Sequence, residues 1–190
     1  VSKTKKQQVF EAAAELFMEK GYMAASMREL ADRVGLIQAS SLYNHLTSKE
    51  EVLRKICFDN AEKFLSGITE VEAADLSPTE KLKSLIRLHV RIAVEDPTSV
   101  TVFNDEWRHL SKEYLEDFQA KRKEYEQRFK AIIQSGINSG VFKAVDPTVA
   151  LYTILTSVRW IHYWYKPKRN VSIEKLEADL FTLLIQGLEA

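Results

Sequence analysis

The sequence predicts an all-α protein, and three observations carry that reading. Apolar residues recur at spacings of three and four, as in Val9, Ala13, Leu16 and Phe17 and again in Leu30, Ala31 and Val34. No segment alternates convincingly as a strand. Punctuation is sparse, with six glycines and four prolines in 190 residues, and it falls where helices begin or end.

Ser26 with Glu29, Ser48 with Glu51, and Ser77 with Glu80 have capping-box spacing, in which the serine hydroxyl and the glutamate carboxylate satisfy orphan amides. Pro78, Pro97 and Pro147 follow Ser77, Asp96 and Asp146, so each proline stands at a first helical position behind a good N-cap. Gly21, Gly35 and Gly140 are C-terminal stops. These marks predict about nine helices: Thr4 to Lys20, Met27 to Val34, Ser40 to Leu46, Lys49 to Glu72, Pro78 to Glu95, Pro97 to Leu110, Lys112 to Ser139, Pro147 to Tyr165 and Ile173 to Leu188. The first three are short and tightly connected. That predicts a small N-terminal domain over residues 1–58 and a larger one over residues 59–190.

Hydrophobic residues at 45% and charged residues at 28% suit a globular chain and exclude disorder. Lys plus Arg equal Asp plus Glu at 27 each, so any surface that attracts a polyanion must be local. It shows at the start, where Lys3, Lys5 and Lys6 precede the first acid, Glu11. Cys57 is the single cysteine, which rules out an intrachain disulfide. No apolar run reaches the roughly 18 residues of a membrane span and no signal peptide opens the chain, so a cytoplasmic protein with no membrane partner is expected. His45, His89, His109 and His162 form no close pair of metal-ligand spacing, and no glycine-rich phosphate loop or nucleophile elbow occurs. No enzyme, metal or cofactor is expected.

A helix, a glycine-containing turn, a capped short helix, a short turn and a second short helix describe a helix-turn-helix, whose second short helix fits the major groove. Ser26 caps the first short helix, whose free amides can also meet a phosphate. Ser40, Ser41 and Asn44 can reach base edges or phosphate oxygens, while Leu42 and Leu46 lie four apart and face inward. Tyr43, His45 and Lys49 supply donors at the far end, and the dipole at a helix start disfavours a lysine unless an anion compensates. A helical small-molecule-binding or interaction protein that does not bind DNA is the second reading.

The residues are more specific than their spacing. Gly21-Tyr22, then Ser26-Met27-Arg28-Glu29-Leu30-Ala31, Val34-Gly35, Ser41-Leu42-Tyr43-Asn44-His45-Leu46 and Ser48-Lys49-Glu50 together resemble the TetR family DNA-binding domain across nearly all of residues 4–54. The resemblance implies a dimeric, ligand-responsive regulator, most often a repressor, that binds palindromic double-stranded DNA and is released by a small-molecule effector. Carried over by position, it places Ser26 and Arg28 at phosphates; the basic start, apart from the resemblance, adds Lys5 as a DNA contact. It places Gln38, Ala39, Ser40 and Ser41 at the start of the recognition helix, with Asn44 on that helix, and Tyr43, His45 and Lys49 on the backbone. From Gly35 to Tyr43 the chain runs one residue longer than the usual family pattern, with Ile37 or a neighbour as the extra one.

The remaining two thirds are marked by aromatics. Trp160, Tyr163 and Trp164 stand three and four apart on the eighth helix, and the last helix presents Ile173, Leu176, Leu180, Leu183, Leu184 and Leu188. Stripes this broad predict a homodimer closed through the last two helices, which also matches a palindromic site. Effector pockets are mostly apolar and aromatic with a few polar groups, which selects Phe103, Trp107, Tyr125, Phe129, Trp160, Tyr163 and Trp164, with Arg122 and Arg128 as the polar complement. Glu95-Asp96-Pro97, Asn104-Asp105-Glu106, Arg122 with Tyr125-Glu126, Gly136 with Gly140-Val141-Phe142, and Trp160 with Trp164-Tyr165-Lys166-Pro167 look like the TetR branch that answers to acyl-coenzyme A thioesters. On that resemblance the aromatics of the eighth helix form a dry channel with Phe103 and Trp107 across from them. Arg122, Arg128 and Lys166 then meet the nucleotide's phosphates.

Overall fold

A computed structural model describes residues 4–36, 39–166 and 171–188. Its α-helices are α1 (Lys5–Lys20), α2 (Met27–Arg33), α3 (Lys49–Ala73), α4 (Pro78–Glu95), α5 (Pro97–Asp105), α6 (Lys112–Asn138), α7 (Pro147–Arg159), the single turn α8 (Ile161–Trp164) and α9 (Ile173–Ile185). Two 3-10 segments, Ala39–Asn44 and Trp107–His109, complete the helical content. No strand occurs among the described residues.

The caps sit where the sequence puts them. Ser26 and Ser77 each accept from the backbone amide three residues on, and Glu29 and Glu80 reach back to the serine amides. Thr4 and Gln7 form a further box that the serine pattern alone does not reveal. Ser48 Oγ accepts from the Glu51 amide at 3.1 Å, but the Glu51 carboxylate turns to the Thr47 amide and hydroxyl instead, at 2.6 and 3.0 Å. Asp146 receives the Thr148 and Val149 amides behind Pro147. Gly21, Gly35 and Gly140 take φ of 82°, 70° and 73°, a region that favours glycine over residues with a Cβ.

The chain divides into two compact units. The first comprises Val1–Asn60 and Thr98–Gln119, the second Ala61–Pro97 and Ala120–Ala190. Thus α3 and α6 contribute to both. In the first unit α2 packs on α1 and on the 3-10 segment Ala39–Asn44. The shared core holds Val9, Phe17, Leu30, Leu42, Leu46 and Leu53, all essentially sealed from solvent. The recognition segment departs from the expected α-helix Ser40 to Leu46: it is a 3-10 helix from Ala39 to Asn44. Two serines and an asparagine in six residues bind backbone groups in competition with the α-helical ladder, and short runs of that kind settle in the tighter 3-10 form.

In the second unit α4 is the central helix, packed by α7, α8 and α9. Arg87 Nε and Arg91 Nε share the Glu177 carboxylate at 3.0 Å each, which fixes α9 along α4. The helix expected to run unbroken from Pro147 to Tyr165 stops at Arg159. Trp160, at φ −90° and ψ 0°, interrupts it before the turn α8. The run of bulky rings from Trp160 to Tyr165 gives up χ freedom in a helix and weakens propagation there, yet the inward stripe survives the break. Ile154, Val158, Ile161, His162 and Tyr165 are buried on one side, while Trp160, Tyr163 and Trp164 face solvent on the other. The predicted helix Pro97 to Leu110 likewise ends at Asp105 and passes into the 3-10 turn.

Gly136 explains part of its own motif. The chain folds back at Gly140, the Val141 and Phe142 amides both donate to the Gly136 carbonyl at 3.0 Å, and a Cβ on Gly136 would meet the Phe142 ring at 2.2 Å. Since the Phe142 ring is buried, Gly136→Ala is expected to destabilise by about 2 kcal/mol, within the range for overpacking a core. A thermal melt should show a drop of roughly 4–8 °C.

Candidate nucleic-acid interface and effector site

The helix-turn-helix buries Leu42 and Leu46 and thereby turns the intervening polar residues outward. Tyr43 is 59% exposed, and Ser26, Arg28, Ser40 and Asn44 are exposed beside it, with Ser41 and His45 half-buried. Ala39 begins the 3-10 segment. Gln38 lies outside the described residues, as does Ile37, so the extra residue of the turn is known only from the sequence. Ser26 Oγ is engaged as a cap, accepting the Glu29 amide at 3.2 Å and lying 3.0 Å from the Glu29 carboxylate. Lys5 Nζ donates to the Val34 carbonyl at 2.7 Å, closing α1 onto the end of α2.

Lys49 has a structural engagement that its position in the sequence does not announce. Its ammonium donates to the carbonyls of Tyr22 and Ala25 at 2.7 and 3.0 Å and lies 4.3 Å from the centroid of the Tyr22 ring. Burial pushes its pKa down. The unfavourable dipole at the start of α3 is therefore offset by two carbonyls and an aromatic face, and the ammonium bolts the α1–α2 turn onto α3.

The same turn is held from the other side by residues that sequence reasoning missed. The Tyr22 amide donates to Glu106 Oε2 at 3.1 Å, the Tyr22 ring stacks on His109 at 5.7 Å with planes 19° apart, and His109 Nε2 lies 3.5 Å from the same carboxylate. The Ser111 amide donates to Glu50 Oε1 at 2.7 Å, and the Arg54 guanidinium sits 4.9 Å from the Tyr114 ring. Nothing local in the sequence marks Glu106 for this role, because its partner stands 84 positions away.

The residues expected to meet the effector fall into three groups. Phe103 and Trp107 belong to the first unit, where both rings pack on Phe118 at 5.7 and 5.8 Å. Tyr125 and Phe129 lie inside the second unit, 6.0 Å apart edge to face, with Phe64 and His89 against Tyr125. Trp160 and Tyr163 stack at 4.8 Å on the exposed side of the break after α7, with Trp164 exposed beside them. The two arginines are already engaged. Arg128 is bound by Glu72, by Glu124 at 3.1 Å and by the Thr69 hydroxyl at 2.7 Å. Arg122 stands 4.0 Å from Glu126, whose other oxygen accepts the Tyr152 hydroxyl at 3.0 Å. Lys166 is exposed.

Among the described residues no group of His, Cys, Asp and Glu could hold a metal ion, and no helix is long and apolar enough to cross a membrane. Exposed apolar residues gather on α7 to α9: Val149 at 65% and Leu183 at 77%, with Tyr152 and the aromatics around Trp160.

Residues 9–56 match the family model described as bacterial regulatory proteins, tetR family, and residues 75–188 match that of the tetracyclin repressor-like C-terminal domain. The HTH-type transcriptional repressor KstR2 of Mycolicibacterium smegmatis is 25% identical over 187 residues, which cover 97% of this chain and 91% of that protein. The structure of the ketosteroid transcriptional regulator KstR2 of Mycobacterium tuberculosis superposes with a TM-score of 0.91 at 20% identity, covering 100% of this chain and 97% of that one. AibR, solved in complex with isovaleryl coenzyme A and operator DNA, gives a TM-score of 0.81 at 24% identity, with coverages of 95% and 97%.

Replacing Lys49 by alanine removes two charge-assisted hydrogen bonds from a half-buried site, and the expected loss is about 1–2 kcal/mol of stability. Chemical denaturation should show it in the absence of DNA. A Lys49→Ala protein as stable as the parent would mean that the ammonium does not hold the turn.

Proposed function

Because the chain belongs to the tetR family of bacterial regulatory proteins, we propose that it acts as a homodimeric repressor of a palindromic operator, released when a small-molecule effector binds. It is a DNA-binding, ligand-responsive regulator and not an enzyme. The observation that carries the finer reading is the exposed polar row Ser40, Tyr43 and Asn44 on a 3-10 segment whose Leu42 is buried, with Leu46 buried just beyond it. That row is the outward-facing part of the helix-turn-helix, with Arg28 exposed beside it to meet phosphate. Residues 1–58 are assigned to DNA reading, in the cytoplasm, and residues 59–190 to effector binding and dimerisation.

Dimerisation through α7 to α9 accounts for Val149, Trp160 and Leu183, which a lone subunit leaves in water. A two-fold pairing of this kind repeats the helix-turn-helix for two half-sites. Lys49 and Lys5, engaged on carbonyls, position the fold rather than carry the main phosphate contacts. Gln38 and Ala39 stay assigned to DNA on the family resemblance alone.

For the effector we favour an acyl-coenzyme A thioester of lipid or aromatic-acid breakdown. AibR, which shares the fold, was solved with such a thioester and with DNA, and the aromatic interior around Tyr125 and Phe129 suits an acyl chain.

Arg28→Ala is expected to weaken binding to the chain's own upstream DNA and to unrelated DNA by a similar factor, about three- to tenfold, and to lower the slope of log affinity against log salt by about one. Loss of sequence preference at unchanged salt slope would assign Arg28 to base reading instead. Octanoyl-coenzyme A is expected to release the operator in a gel-shift titration at concentrations at which octanoate does not. Equal potency of acid and thioester would remove the coenzyme A reading and leave the repressor.

A further inference from the structure

Deep in the second unit, α3, α4 and α6 each contribute to one small polar site set among rings. His89 on α4 and Tyr125 on α6 are hydrogen-bonded, Nε2 to hydroxyl, at 2.9 Å. The Phe64 ring of α3 lies 4.6 Å from the imidazole and 5.6 Å from Tyr125, and Phe129 meets Tyr125 edge to face. Tyr125 is buried, whereas His89 keeps part of its surface accessible.

The pair holds more donors than it uses. Burial, reinforced by the charge of Arg159, pushes the His89 pKa down to about 3, and burial pushes Tyr125 up. The imidazole is therefore neutral, with one N–H, and the phenol keeps its O–H. If the phenol donates to Nε2, the Nδ1–H is left over. If Nε2–H donates to the phenol oxygen, the phenol O–H is left over. Neither His89 nor Tyr125 has another hydrogen-bond partner among the described residues. Either tautomer thus leaves one donor of the pair without a protein acceptor, and His89 is only half-buried, so that donor is within reach of an incoming group.

We propose that His89 and Tyr125 read a carbonyl oxygen on the effector, selecting an apolar molecule that carries a thioester, ester or ketone over the same molecule without it. This rests on the effector-responsive reading above and adds the chemistry that the site recognises. A carbonyl oxygen accepts one hydrogen bond at little desolvation cost, and an apolar ligand seated against the rings without one would cut the spare donor off from water and leave it unmatched. The positive charge of Arg159, half-buried at the end of α7, favours the negative end of the carbonyl dipole and opposes an amine or ammonium ligand. Sites that hydrogen-bond a ligand group reject the analogue lacking it more sharply than apolar pockets reject a missing methylene.

The test is calorimetry on the full chain with two matched pairs: octanoyl-coenzyme A against S-octyl-coenzyme A, the thioether without the carbonyl, and 1-tetralone against tetralin. In at least one pair the carbonyl compound is expected to bind about tenfold more tightly. That ratio is expected to fall to about one in the His89→Leu/Tyr125→Phe double variant, with the carbonyl-free partner binding within about twofold of its parent affinity. The single variant that abolishes the ratio identifies the donating group, and Tyr125→Phe keeps the ring, so folding is preserved in at least that arm. A ratio near one in the parent, a ratio that survives in the double variant, or no binding of any of the four compounds overturns the proposal. Release of operator by octanoyl- and S-octyl-coenzyme A alike, with tetralone and tetralin bound equally, would retain a coenzyme A-linked effector and reject the pair. A preference for tetralone with no binding of either thioester analogue would do the reverse.

Discussion

The Lys49 ammonium is the interaction around which the first unit is arranged. It gathers the Tyr22 and Ala25 carbonyls and the Tyr22 ring at the start of α3, and so fixes the turn that presents Ser26 as the cap of α2. A domain of about 60 residues buries only a modest fraction of its surface and is marginal alone. Here the shortfall is met from later in the chain: Val102 and Phe118 are fully buried, and Glu106 and His109 close on the far side of Tyr22. The first unit therefore includes Thr98–Gln119 as part of its own packing.

That arrangement gives α3 and α6 a particular importance. Within the first unit they are joined by the Arg54 guanidinium over Tyr114. Within the second they are joined by Arg128 on Glu72 and Thr69, and by Lys121 on Glu62. A ligand influences DNA binding only through its different affinity for two arrangements of the protein. The multidentate Arg128 contacts resist sliding more than a single exposed ion pair would, since bidentate geometry adds directional constraint.

Much of this was legible in the sequence because it is local. Capping boxes at Ser26 and Ser77, prolines behind Ser77 and Asp146, and glycine stops all act within a few residues, and the helix boundaries follow from them. The helix-turn-helix was legible for the same reason, down to the inward Leu42 and Leu46. The 3-10 form of the recognition segment and the break at Trp160 were not, because propensities for short or aromatic-rich stretches are decided by tertiary context. The partners of Lys49, Glu106 and Arg128 were also hidden. A lysine at a helix start reads as a charge seeking phosphate, and an arginine among aromatics reads as a ligand cation. Only the fold shows that carbonyls and carboxylates already surround them.

The engaged arginines bear on how the effector domain can recognise its ligand at all. Removing Arg128 from Glu72, Thr69 and Glu124 to meet a phosphate would leave a carboxylate pair facing each other across α3 and α6, a rearrangement that an exposed phosphate contact does not offset. On the proposed coenzyme A reading, charge recognition of the nucleotide then falls to cations near the surface, of which Lys166 is exposed and Arg159 half-buried. Exposed charges are screened and contribute little selectivity between acyl groups. Discrimination therefore belongs to the interior. There the His89–Tyr125 pair has what an apolar wall lacks, a donor that the carbonyl of the proposed effector would engage and a ligand without one would leave unmatched.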